Sequence, residues 1–284
     1  MSWQLLLAIS ILSYAVGVLL QRVIQKDGKN DPYAFSIFFQ LTIGAVIGLY
    51  AFFQGFVMPN YMDFLPNIML MIILYAIANT LIFSSLKYLD AAAFTILFSS
   101  RALWTILAAV VFLNEPFTFK QIIGTLLIII SVIIVSAKPK KFTFKKGEIY
   151  ALLAALVFGT AFANDAYIIG TYHVDVESHL FFGFVLPAIA MWILRPQATS
   201  QMKPFFTRTI LLQSLALTLF YATSAITIFL AYDIAKNAAQ IAPLNQTSII
   251  IIVILSMIFL KERDNIPRKI AGALLSFIGV LLVL

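Results

Sequence analysis

The chain has 284 residues, 62% of them hydrophobic and only 11% charged, with a mean hydropathy of +1.00. A soluble domain is nearer half apolar and a quarter charged, so this composition excludes a soluble globular protein and indicates an integral membrane protein. The net charge of +7 does not point to nucleic acid, because the basic residues fall between apolar runs. The absence of cysteine excludes a disulfide framework, a thiolate metal site and a cysteine nucleophile.

Taken in chain order, apolar runs occupy residues 3–24, 33–54, 64–86, 91–113, 117–137, 148–170, 178–194, 208–232, 237–260 and 266–284. Most exceed the roughly 18 residues that a helix needs to cross the hydrocarbon core. The first run lacks a basic leader and a small-residue cleavage site, so it reads as a retained span. The seventh is the shortest and carries Pro187. The predicted class is therefore all-α and integral to the membrane, with ten transmembrane helices and no room for a soluble domain.

The runs repeat. Gly124-Thr-Leu-Leu-Ile-Ile-Ile-Ser-Val-Ile-Ile-Val135 and Gly272-Ala-Leu-Leu-Ser-Phe-Ile-Gly-Val-Leu-Leu-Val283 agree at six of twelve positions. Phe112-Leu-Asn-Glu115 matches Phe259-Leu-Lys-Glu262, and Asp90-Ala-Ala92 matches Asn237-Ala-Ala239. Two five-helix repeats, 1–138 and 147–284, are expected on either side of a basic linker at 139–146. An odd number of spans per repeat inverts the second copy in the bilayer. Inverted repeats mark alternating-access carriers with a substrate site where the halves meet.

Sixteen of the nineteen Lys and Arg residues fall in the first, third, fifth, seventh and ninth loops. Only Lys120 and Lys236 lie in the even loops, and Arg101 lies inside a span. The positive-inside rule then places the odd loops in the cytoplasm and both termini outside it. The linker lysines between Lys138 and Lys146 serve as a topology anchor or, alternatively, recruit anionic membrane lipid. The segment His173-Val-Asp-Val-Glu-Ser-His179 reads as a short polar loop, and no metal site is assigned to it.

Ionisable groups inside spans are costly and are functional suspects by default. Arg101 is placed near the middle of the fourth span. It reads either as a fixed cation for a substrate carboxylate or phosphate, or as a structural cation bonded to freed carbonyls. Asp165 in the sixth span is the proton-coupling candidate, the alternatives being a near-interface acid satisfied by water or a partner of Arg101. Thr160, Asn164 and Tyr167 form a polar stripe on the sixth span, matched on the first by Ser10, Ser13, Tyr14, Gly17 and Gln21. These stripes line a shared cavity or, equally, join helices by hydrogen bonds. In the ninth span Gln240, Asn245, Gln246, Thr247 and Ser248 project at about 0°, 140°, 240°, 340° and 80° around an ideal helix. A helix polar on every side cannot face lipid, and Pro243 removes one of its backbone bonds. The expected substrate site is Arg101, Asn245, Gln246, Tyr14, Asn79, Thr160 and Asn164. Gly124, Gly272, Ser276 and Gly279 are expected at close helix contacts. Glu115 and Glu262 are expected to cap helices or to form loop salt bridges.

With these motifs in view, the chain resembles the EamA-like ten-helix members of the drug/metabolite transporter superfamily. The resemblance spans essentially the whole chain. It is carried by Leu86-Lys-Tyr-Leu-Asp-Ala-Ala92, by Leu113-Asn-Glu-Pro116 with Gln121-Ile-Ile-Gly124, and more loosely by Leu260-Lys-Glu-Arg263 with Lys269-Ile-Ala-Gly272. It implies a carrier and leaves the substrate open. Family members commonly keep their termini in the cytoplasm, whereas the charges here place them outside, and the local charges are followed.

The function expected is a secondary active transporter of a small polar metabolite, amino-acid-like, working in the export direction and coupled to protons or to exchange. It would act in the cell membrane as a monomer or homodimer, without cofactor, metal or nucleic acid. A flippase of a lipid-linked or amphipathic molecule is the alternative, and a non-transporting membrane scaffold subunit is the second. An intramembrane enzyme is disfavoured: there is no His-Glu-x-x-His, no Gly-x-Ser-x-Gly and no credible pair of buried aspartates.

Overall fold

In hydrocarbon each backbone N–H and C=O must be bonded within its own segment, and a chain this apolar meets the demand with helices. The computed structural model describes residues 2–26, 29–113, 118–136, 145–235, 245 and 247–283, and every regular element among them is helical. In order they are α1 (Trp3–Lys26), α2 (Pro32–Gln54), a 3-10 turn (Tyr61–Phe64) leading into α3 (Leu65–Leu86), α4 (Ala91–Phe98), α5 (Arg101–Leu113), α6 (Phe119–Ser136) and α7 (Lys146–Tyr172). Then come α8 (Val176–Leu194), the short α9 (Ala198–Gln201), a second 3-10 turn (Lys203–Phe206), α10 (Arg208–Ala235), α11 (Ser248–Phe259) and α12 (Ile266–Val283). Among the described residues, six segments are long and apolar enough to cross a membrane: α1, α2, Tyr61–Leu86, the Lys146–Ile169 part of α7, α8 and the Arg208–Ile228 part of α10. Shorter apolar helices lie at Phe119–Val135 and Ser248–Phe259.

Loop chemistry sets the helix ends. Asp31 caps α2 by accepting from the Ala34 N–H at 2.8 Å, Pro32 supplies a first residue with φ already fixed, and Gly55 ends the helix at φ 95°. Asp90 caps α4 through the Ala93 N–H at 2.7 Å, and Asp175 caps α8 through the Ser178 N–H at 2.9 Å. That last cap corrects the reading of 173–179 as a loop. His173 ends α7 at φ 50°, but His179 is already inside α8 and is 1% exposed. The seventh apolar run is one 19-residue helix that continues through Pro187.

The fourth run, expected to be continuous over 91–113, is two helices. The Ser99 and Ser100 hydroxyls donate to the carbonyls of Ile96 and Leu97, and Ala102 and Leu103 bond to residues three back rather than four. Back-bonding serines compete with the helical ladder, and the chain turns here. Arg101 is therefore the first residue of α5 and not the middle of a helix. The corresponding part of the ninth run, including Gln240 and Pro243, lies outside the described residues.

Packing joins helices from opposite ends of the chain: α1 lies against α10, α3 against α7, α2 against α8, and α6 against α12. The α6–α12 seam depends on small residues, for a methyl added at Gly279 would sit 2.8 Å from the Gly124 carbonyl oxygen. Fully buried Phe35 anchors another region, with Phe83 and Phe205 edge-on to it at 4.9 and 5.2 Å between ring centres.

At one end, loops distant in sequence are tied together. The Arg22 Nε donates to Glu262 Oε1 at 3.0 Å, and Lys269 Nζ meets Asp90 Oδ2 at 2.9 Å. Arg195 lies 3.9 Å from Asp31, and the Ser85 hydroxyl donates to the Gly147 carbonyl at 2.9 Å. Glu262 also accepts from the Ala91 N–H at 2.9 Å, so it caps α4 while it pairs with Arg22, both roles expected of it. A polar pocket of about 300 Å³, bordered by Arg22, Lys26, Tyr88, Asp90, Lys261 and Glu262, opens beside this network.

Candidate functional site

The turn between α4 and α5 presents a charge. The Arg101 guanidinium carbon lies 4.8 Å from the centre of the Phe98 ring and 5.3 Å from that of Phe158 on α7. Aromatic faces attract a cation, by about 2 kcal/mol when water is excluded, yet they accept none of its N–H bonds in the ordinary sense. Among the described residues no carboxylate lies within salt-bridge distance of Arg101, and its guanidinium donates no hydrogen bond. The site therefore holds a cation steady, and no described residue takes up its planar fork of donors.

Arg101 borders a small cavity with Tyr14 of α1, Thr95, Phe98 and Ser99 of the α4 end, and Ser248 and Ile249 of α11. Both halves of the chain contribute. The cavity measures about 10 Å³, room for one water molecule at most. Thr95 leaves its buried hydroxyl without a partner there. Close approach of α7 brings Phe158 into place. Gly159 lies so near α5 that a methyl on it would run into the Arg101 carbonyl oxygen and sit 2.9 Å from Trp104 Cβ. The Thr105 hydroxyl donates to the Gly159 carbonyl at 3.1 Å and fastens the same crossing.

Asp165 does not pair with Arg101. Its Oδ2 accepts from the Tyr75 hydroxyl at 2.6 Å, and its Oδ1 faces His179 Nε2 at 3.3 Å. The two charges are nevertheless linked by packing, since the Phe158 ring that carries Arg101 meets the Tyr75 ring edge-on at 5.5 Å.

A family model, that of the EamA-like transporter family, matches residues 1–137 and 145–284. The chain belongs to the EamA-like transporter family. It is thus an integral, multi-pass membrane transporter of the drug/metabolite transporter superfamily. A solved crystal structure with 15% sequence identity superposes with a TM-score of 0.60, covering 97% of this chain and 96% of that one, a likeness that establishes the fold alone. No curated protein matches the sequence.

Within this EamA-like chain the residues expected at the substrate site separate into groups. Arg101 and Tyr14 share the cavity, joined by Ser248. Asn79 and Asn164 instead face neighbouring helices: Asn79 donates to Gln40 Oε1 at 3.2 Å, and Asn164 exchanges amide bonds with Asn67 at 2.9 and 3.1 Å. The Thr160 hydroxyl donates to the Leu156 carbonyl of its own helix at 3.0 Å. Asn245 is half-buried, and Gln246 lies outside the described residues. The stripe on α1 serves largely to join helices, with the Ser10 hydroxyl donating to the Ser224 carbonyl at 2.9 Å and Gly17 admitting Tyr221. Phe158, Tyr75 and His179, absent from the expected set, are the side chains that complete the two charged places.

Proposed function

We propose that this EamA-like chain is a secondary carrier of a small anionic or zwitterionic metabolite, amino-acid-like in its carboxylate, and that it works by alternating access. The observation that carries the reading is Arg101: a stacked cation whose donors no described residue accepts, at a helix break, in a cavity lined by both halves. A substrate carboxylate would take the planar fork, and the aromatic rings would exclude water around it. The cavity is far smaller than such a substrate, so loading requires α4, α5 and α11 to separate.

The same reading takes the chain as ten crossings in two inverted repeats. The pairing of helices supports it: exchanging the halves turns the α1–α10 contact into the α7–α3 contact and returns α2–α8 and α6–α12 to themselves. The loops tied together at one end are the first, third, fifth, seventh and ninth, the basic ones. With those loops in the cytoplasm, transport outward would be driven by proton entry or by exchange, with Asp165 as the coupling carboxylate.

Two measurements test this. In a thermal-shift screen of purified protein against amino acids, sugars, nucleotides and cationic drugs, carboxylate-bearing compounds should stabilise it and then support counterflow in proteoliposomes. Stabilisation by cationic compounds alone would remove Arg101 from the site, and movement of lipid-linked molecules between leaflets would make the protein a flippase. A reporter active only in the cytoplasm should work when placed in the 138–147 linker and stay silent after Leu284, and the reverse pattern would overturn the orientation.

A further inference from the structure

His179 is the least expected side chain in the fold. It sits in the first turn of α8, 1% exposed, with neither ring nitrogen in a hydrogen bond. Buried polar groups are nearly always satisfied, and an imidazole with both nitrogens free is an exception that calls for a cause. Its Nε2 is 3.3 Å from Asp165 Oδ1, itself without a hydrogen bond, so the two unsatisfied atoms stand within ion-pair distance of one another.

We propose that Asp165 and His179 together form a proton-binding site, in which the imidazole takes the proton and the carboxylate balances it. In the unloaded form a neutral ring faces a carboxylate, and the pair carries one negative charge. A proton arriving from water adds to the Nε2 lone pair. The imidazolium then donates to Asp165 Oδ1, and the net charge of the pair falls to zero. Release reverses the same single step, with no other bond made or broken. Burying a lone anion is expensive whereas burying a neutral, hydrogen-bonded pair is not, so loading a proton changes what the surrounding helices can enclose.

The surroundings suit this use. Tyr75 of α3 donates to the far carboxylate oxygen at 2.6 Å and holds the acid in place. Tyr61 and Tyr172 stand in the adjoining apolar cluster with Ile68, Met71 and Ile168. From α2 the nearest titratable group is Tyr50, which lies beside Glu177 of α8. Arg101 of α5 and Tyr221 of α10 lie near enough to Tyr75 to act on it electrostatically. Among the described residues, Asp165 is the acid in contact with His179.

Location completes the case. Asp165 lies seven residues from the end of α7 and His179 three from the start of α8, so the pair is within about 10 Å of the loop joining those helices. The Arg22–Glu262 network belongs to the opposite helix ends. A proton could therefore reach the pair from the side remote from that network. The packed run from Asp165 through Tyr75 and Phe158 to Arg101 gives the protonation state a physical connection to the cation. As a coupling device the pair rests on the carrier reading; as a proton site it does not.

The chain has only two histidines, His173 and His179, so nitrogen NMR of ¹⁵N-histidine-labelled protein in nanodiscs resolves them, with His173→Gln giving the assignment. Between about pH 4 and pH 9 the His179 ring should take up one proton. Asp165→Asn removes the balancing anion and should lower the proton affinity of the ring at least tenfold. Tyr75→Phe removes a stabiliser of the carboxylate and should move the transition the other way. A ring that keeps one protonation state throughout, or that titrates identically in all three proteins, overturns the proposal. Should Asp165→Asn fail to fold, the parent protein and Tyr75→Phe still decide it. A protein that transports nothing, yet shows these opposed shifts, would sink the carrier reading and leave the proton site standing.

Discussion

Arg101→Ala is expected to abolish detectable binding of a carboxylate ligand while leaving a folded protein. Charge-assisted hydrogen bonds contribute about 1.5–3 kcal/mol, so affinity should fall roughly ten- to a hundred-fold. The loss of stacking on Phe98 and Phe158 is a smaller matter, about 0.5–2 kcal/mol, and thermal unfolding without ligand should shift little. Arg101→Lys should recover part of the transport, because an ammonium keeps the charge and the aromatic contact but offers no planar fork. Ligand-dependent stabilisation and counterflow, measured on the same three proteins, separate these effects. Normal transport by the alanine variant would make Arg101 a structural cation and move the substrate site elsewhere.

The second large effect concerns Glu262. With its Arg22 partner it is mostly buried, the side chains being 8% and 11% exposed, and it holds the Ala91 N–H as well. Glu262→Ala leaves Arg22 with the Leu86 carbonyl and deprives the Ala91 N–H of its acceptor, so that Asp90 alone caps α4. Removing one member of a buried pair costs about 3–5 kcal/mol, since the other charge stays behind uncompensated. The variant should unfold at a clearly lower temperature and should open this end of the molecule. The chain has no cysteine, so Thr95→Cys in the cavity provides a single thiol to report on opening. A membrane-impermeant maleimide applied to the Glu262 side should label it slowly in the parent and quickly in the Glu262→Ala background. Replacing both Arg22 and Glu262 with Met should restore stability without restoring slow labelling. Slow labelling in every background would mean that the network is a staple and not a closure.

Much of this architecture can be read from the residues. The long apolar runs follow from hydrocarbon thickness and the glycines of the α6–α12 seam from close helix packing, and Arg101 attracts attention because a charge in an apolar run is costly. Three things were hidden for physical reasons. The break at Ser99–Ser100 involves neither proline nor glycine, and a serine that bonds back to its own helix looks the same in sequence as one that does not. Asn79 and Asn164 look like cavity linings until their partners, Gln40 and Asn67, are known, and those lie 39 and 97 residues away. His179 was concealed by alternation, which gave 173–179 the pattern of a polar loop. Asp175 three residues before Ser178 was the capping signal that could have placed His179 inside a helix.

The tie between Arg22 and Glu262 joins residues 240 positions apart, and that separation governs how the molecule is made. At about 5–20 residues per second, the ribosome delivers Glu262 some 12–50 s after Arg22. Throughout that interval α1 is in place without the carboxylate that meets Arg22, and α4 has entered with Asp90 as its cap but with the Ala91 N–H still lacking Glu262. A chain that stops short of Glu262 is therefore open at this end, and the arrival of that one residue turns a set of inserted helices into a closed barrier.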